Sequence, residues 1–88
     1  MTCKIHREAV GEDGVVLRVS GRITGDHVET LRTLLERESG AITLDLKDVR
    51  LADGDAVKLL AIHESNGVRI ENCPLYLREW IRREREEI

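Results

Sequence analysis

Two aspartates bracket a glycine in the stretch "VRLADGDAVKLL", residues 49–60, where an apolar strand pattern gives way to an apolar helix pattern. Carboxylates at such a junction can serve a catalytic centre, neighbour a phosphorylation site, or form a docking surface. They also have a purely structural use. The first turn of a helix leaves backbone N–H groups without partners and carries partial positive charge. Asp53 fits the N-cap, and Asp55 in the first turn adds about 0.3–1 kcal/mol through the helix dipole. Capping alone therefore accounts for both residues, and any function must come from what else they do.

Other residues have chemical potential but lack the company that chemistry needs. Asp45 lies in a strand leading to the acidic loop, where a phospho-accepting aspartate of a receiver domain can sit. That reaction needs an acidic pair near the first strand to hold Mg²⁺, together with a later hydroxyl and lysine. "CKIHREAV" has no such pair, and 88 residues are too few for five repeating units. His6, His27 and His63 fall on different elements, and with Cys3 and Cys73 they show no metal-ligand spacing. No base is indicated for a cysteine nucleophile. "GRITG" lacks the Gly-x-x-x-x-Gly-Lys spacing of a phosphate loop, so its glycines read as a turn into a helix. Arg78, Arg82 and Arg85 share one side of the last helix, but the interleaved Glu79, Glu84 and Glu86 make a solvated, ion-paired face the simpler reading.

The elements that position these residues follow from periodicity. Residues 3–10 read as a strand, "GEDG" as the turn of a hairpin, and "VVLRVSG" as the returning strand with Val15, Leu17 and Val19 on one face. Asp26 with Glu29 matches a capping box for a helix whose apolar stripe is Val28, Leu31, Leu34 and Leu35, with Gly40 as its stop. "AITLDL" alternates strictly. The second helix runs from about residue 54 to Ser65, wide-faced with Ala56, Val57, Leu59, Leu60 and Ala61. "VRIEN" is a short strand with Val68 and Ile70 inward. Pro74 suits the first position of a third helix, on which Leu77, Trp80 and Ile81 share a side. Trp80 and Tyr76 are expected to pin that helix to the sheet, and Glu79–Arg83 and Arg82–Glu86 have i,i+4 spacing.

The order is β-β-α-β-α-β-α, an α/β chain with a four-stranded mixed sheet and parallel strands joined by right-handed crossovers. Alternation of apolar and polar residues along the strands implies that one sheet face is not covered by helices. All three helices should therefore pack on the other. The open face would carry Arg18, Ser20, Thr43, Asp45, Arg69 and Glu71, either solvated or covered by a partner such as a second copy of the chain.

Bulk properties narrow the function classes. Eighty-eight residues, 41% apolar and 35% charged, make one small domain, 1–88, that buries only roughly 60% of its unfolded surface. With no Phe, one Trp and one Tyr, the core must be aliphatic. A net charge of −3 argues against nucleic-acid binding, which needs clustered positive charge. Two cysteines make no disulfide framework, and no run of 18 apolar residues suggests membrane insertion or a signal core. The expected setting is cytoplasmic, soluble and reduced.

Taken in order, "LRVSGRIT", "ITLDLKDVRLAD", the apolar helix after it and the glycine and strand that follow resemble the STAS domain, the module of anti-sigma-factor antagonists and sulfate-transporter tails. The resemblance spans about residues 8–85. It implies a non-catalytic protein–protein interaction module of bacterial regulation, with no cofactor. The implied partner is an anti-sigma or kinase-like regulator, or a subunit of a membrane transport complex. In that family the loop reads Asp-Ser-x-Gly, and the serine is phosphorylated by a partner kinase. Here Asp53 matches the aspartate, Gly54 stands in the serine position and Ala56 in the glycine position. With no hydroxyl at 54, and no Ser or Thr between Thr43 and Ser65, the usual switch is absent. Either Asp55 supplies a standing negative charge, or the module docks constitutively. Asp55 carries about −1 against roughly −1.5 to −2 for phosphate and sits one residue away, which favours constitutive docking. On either reading the expected contact residues are Asp53, Gly54, Asp55, Ala56 and Lys58. The competing class is a small-molecule or nucleotide-binding sensor domain.

Overall fold

A computed structural model describes residues 3–87. Its elements are β1 (Cys3–Val10), β2 (Gly14–Ile23), α1 (Gly25–Arg37), β3 (Ala41–Ala52), α2 (Gly54–Ser65), β4 (Arg69–Glu71) and α3 (Leu75–Glu86). The four strands form one sheet in the order β1-β2-β3-β4, with β1 antiparallel to β2 and the remaining pairs parallel. This is the mixed α/β sheet that the sequence order implied.

Period-two alternation decides which face is buried. Val15, Leu17 and Val19 of β2, and Ile42, Leu44 and Leu46 of β3, point into the core, as do Val28, Leu31 and Leu35 of α1. α2 contributes Ala56, Val57, Leu59, Leu60 and Ala61, and α3 contributes Leu77 and Ile81. Right-handed crossovers between parallel neighbours bring α1 and α2 to one side of the sheet. α3 packs against α2 on that same side. On the open face Arg18 is ion-paired with Glu8 and lies 3.9 Å from Asp45, while Arg69 pairs with Glu71 at 3.0 Å.

Four local details differ from the sequence expectations, each for a physical reason. First, β3 continues six residues past Leu46. Two register shifts against β2, between Arg18 and Ser20 and between Gly21 and Arg22, each place an extra residue in β3. Its buried positions then fall at Leu46, Val49 and Ala52, a spacing of three that hides the strand from a search for alternation. Second, Thr24, not Asp26, is the N-cap of α1, and its side chain makes no capping bond. The free Gly25 N–H is taken instead by a carboxylate from another loop, described below. Third, α1 ends at Arg37, before Gly40. Gly40 serves a close approach: a Cβ there would fall 1.8 Å from the Asp13 carbonyl oxygen. Fourth, Pro74 occupies the N-cap of α3 rather than its first helical position.

On α3, Leu77 and Ile81 are fully buried, and Trp80 packs against the core at partial exposure. Tyr76 remains about half exposed (49%) and does not pin the helix. It precedes Leu77 by one residue and so projects about 100° around the helix from the buried stripe. The expected Glu79–Arg83 pair is replaced by Glu79–Arg82 at 2.6 Å, and Arg82 also lies 3.8 Å from Glu86.

Candidate functional site

The corner between β3 and α2 is built by Asp53. Its Oδ1 accepts the Ala56 N–H at 2.9 Å, the expected N-cap bond of α2. Its Oδ2 accepts the Gly25 N–H at 3.0 Å, at the start of α1. One carboxylate thus caps two helices, and the Asp53 N–H bonds back to the Ile23 carbonyl at 3.1 Å. Asp53 is half-buried with both oxygens engaged inside the chain, so it positions the corner. Ala56, expected at a contact surface, is fully buried and presents nothing to a partner. It lies on the inner stripe of α2 with Leu59 and Leu60, three and four residues on.

Gly54, Asp55 and Lys58 are exposed. A Cβ at Gly54 would meet no atom within 4 Å, so space does not demand glycine at this position. Asp55, Lys58 and Ile62 fall at i, i+3 and i+7, along one outward stripe of α2. Ile62 is 45% exposed, an apolar side chain that the sequence reading left out. The wide apolar face of the helix did not mark Ile62 off from the inner residues in the sequence; its packing between two neighbours does. A groove of about 310 Å³ runs between this stripe and α1, lined by Val28, Glu29, Arg32, Asp55, Lys58 and Ile62 among others. A second groove of about 250 Å³ lies toward α3, lined by Lys58, Ala61, Ile62, Glu84 and Glu87. Lys58 and Ile62 line both grooves and form the ridge between them.

The other candidate residues are dispersed. Asp45 sits on the open face, where its Oδ1 accepts the Lys47 N–H at 3.0 Å and the Asn72 side-chain amide at 3.3 Å. It secures the first bulge of β3 and the left-handed turn at Asn72, whose φ is 56°. His6, His27 and His63 lie on β1, α1 and α2, and among the described residues no three His, Cys, Asp or Glu side chains gather into a metal-binding group. Cys3, on the edge strand β1, and Cys73, in the loop between β4 and α3, are free and half-buried. Burial pushes both thiols up, away from the thiolate form that a nucleophile needs. Among the described residues, no helix is long and apolar enough to cross a membrane.

The arginine stripe of α3 acts on the neighbouring helix. Arg78 makes a bidentate pair with Glu64 of α2, at 2.8 and 2.6 Å, and Arg85 reaches the same carboxylate at 3.1 Å. The Arg78 hydrogen bonds hold the Glu64 carboxyl below the usual carboxylate range against the opposing effect of burial, and Arg85 adds to the shift.

The four-stranded mixed sheet with three helices, in the order β-β-α-β-α-β-α, has the arrangement of the STAS fold. A solved structure of the anti-sigma factor antagonist SpoIIAA in its unphosphorylated form has this fold, with a TM-score of 0.62 and 18% sequence identity over 85% of this chain and 79% of that one. No protein-family model and no curated protein sequence matches the chain. The likeness at this identity is one of fold.

Proposed function

We propose that this chain is a non-catalytic docking module of the anti-sigma-factor-antagonist kind, engaging a protein partner through the β3–α2 corner and the outer ridge of α2. The observation that carries the reading is the division of labour at the corner. Asp53 is consumed in capping α1 and α2, which leaves Gly54 and Asp55 exposed at the corner and Lys58 and Ile62 on the ridge between two grooves. A partly exposed apolar anchor flanked by charges of both signs is the composition of an interface centre with a polar rim. The partner class is an anti-sigma or kinase-like regulator. Gly54 has no hydroxyl, so docking is not switched by serine phosphorylation at this position, and the surface is permanently competent.

The test is affinity capture from the native cell with identification by mass spectrometry, comparing the native chain with a D55K/K58E variant and with I62D. All three positions are exposed, so the variants should fold. Each variant is expected to lose the principal partner, with affinity down by about tenfold or more. Retention of that partner by both variants would remove this surface from consideration.

A further inference from the structure

The open face of the sheet divides into two electrostatically different halves. Along its middle and far edge the cations are neutralised: Arg18 by Glu8 and Asp45, and Arg69 by Glu71. At the end where β3 is bulged, the cations stand free. Lys4, Lys47 and Arg50 line an open depression of about 490 Å³, together with Ser20, Gly21 and Asp48. Among the described residues, no ion pair or side-chain hydrogen bond engages the side chains of Lys4, Lys47 or Arg50. Three cations against one carboxylate is a local positive surplus on a chain whose formal net charge is −3.

The bulges produce this arrangement. Each extra residue in β3 turns two successive side chains outward, Lys47 with Asp48 and then Arg50 with Leu51, where a regular strand would show one. Gly21, opposite Val49, has φ +90°, a conformation that favours glycine, so no side chain fills the space beside Ser20. Lys4 enters from β1, paired with Ser20. The Ser20 hydroxyl, half-buried and free of side-chain hydrogen bonds among the described residues, adds a neutral donor.

We infer that this depression is a binding site for a compact polyanion, a small molecule carrying two or more negative charges on phosphate or carboxylate oxygens. Cations converging from two strands on a concavity suit a multidentate small anion better than an extended acidic segment, which would need a charged track along the face. The site is separate from the α2 ridge and lies on the opposite side of the sheet.

The test uses the full chain labelled with ¹⁵N, titrated with pyrophosphate and, separately, with citrate at constant ionic strength. Saturable amide shifts are expected at residues 20–21 and 47–50, and the preferred anion distinguishes phosphate from carboxylate chemistry. K47Q/R50Q should weaken binding by about tenfold or more, and R83Q on α3 should leave it unchanged. The same spectra report whether each variant is folded, and K4Q on the neighbouring strand repeats the test if the double variant is not. Shifts that do not saturate, that spread over all basic residues, or that persist unchanged in the folded variants would overturn the assignment.

Discussion

Asp53 shows how much one side chain can contribute in a chain of this size. Both its oxygens terminate helices, and capping bonds of this type contribute about 1 kcal/mol each. Small domains are stable by only about 5–15 kcal/mol, so the pair is a substantial fraction. D53A should therefore lower stability by about 2 kcal/mol, or roughly 8–16 °C in Tm, read by thermal and denaturant unfolding. D53N should fall between: its amide oxygen can keep one N–H, but its NH₂ group cannot accept the other. A loss for D53A no larger than that of a single cap would show that the Gly25 bond contributes nothing. At the next position the expectation is the opposite. A Cβ on Gly54 meets no atom, so G54S should change stability by no more than about 0.5 kcal/mol, on the stabilising side if at all. Destabilisation of G54S beyond 1 kcal/mol would mean that the corner requires glycine for a reason other than space. The sequence made the Ala56 cap legible, because Asp53 precedes an apolar helix. It could not show the Gly25 cap, which joins residues 28 apart through the parallel pairing of β2 and β3.

At the scale of elements, α2 and α3 are joined by a charge clasp that the sequence concealed. Spacing reveals pairs within one helix, such as Arg82 with Glu86, but Glu64 and Arg78 meet only because the chain folds back after β4. The Glu64 carboxyl lies below its ordinary range in the folded state, chiefly through the Arg78 hydrogen bonds. Its contribution to stability is therefore whole above the unfolded carboxyl range, about pH 4–5, and is lost as pH falls through the lower folded value. E64Q should cost about 1–2 kcal/mol at pH 7 and flatten the fall in stability on acidification, measured by denaturant unfolding between pH 7 and 3. An E64Q profile parallel to that of the native chain would show that other carboxyls carry the acid sensitivity. β3 teaches a related lesson. Its first half alternates and was legible as a strand. Its second half reads "KDVRLA", with buried residues three apart, because two bulges reset the period. The Asp45 contact to the Lys47 N–H is the side-chain support for the first bulge. Asp45 entered the sequence reading as a possible phosphoryl acceptor, and its partners make it a brace.

At the scale of the whole molecule, every helix contributes to one aliphatic core, but unequally. α3 supplies Leu77 and Ile81 and packs against α2, with Trp80 beside the cluster. It is held to the rest of the molecule by that contact and by the Glu64 clasp. At neutral pH the clasp is intact, and a small domain with a single core is expected to unfold in one step. Trp80 fluorescence, blue-shifted in the folded state, and far-UV circular dichroism should then give coincident denaturant transitions. As acid protonates Glu64, two arginines lose their shared partner while the sheet, α1 and α2 keep their apolar contacts. α3 becomes the weakest part, and the Trp80 transition should separate from the dichroism transition and precede it. E64Q, with the clasp already weakened, should show the separation at pH 7. Coincident transitions for both proteins at every pH would mean that Leu77 and Ile81 alone bind α3 as tightly as the core binds itself, and the clasp would have no part in the cooperativity of the fold.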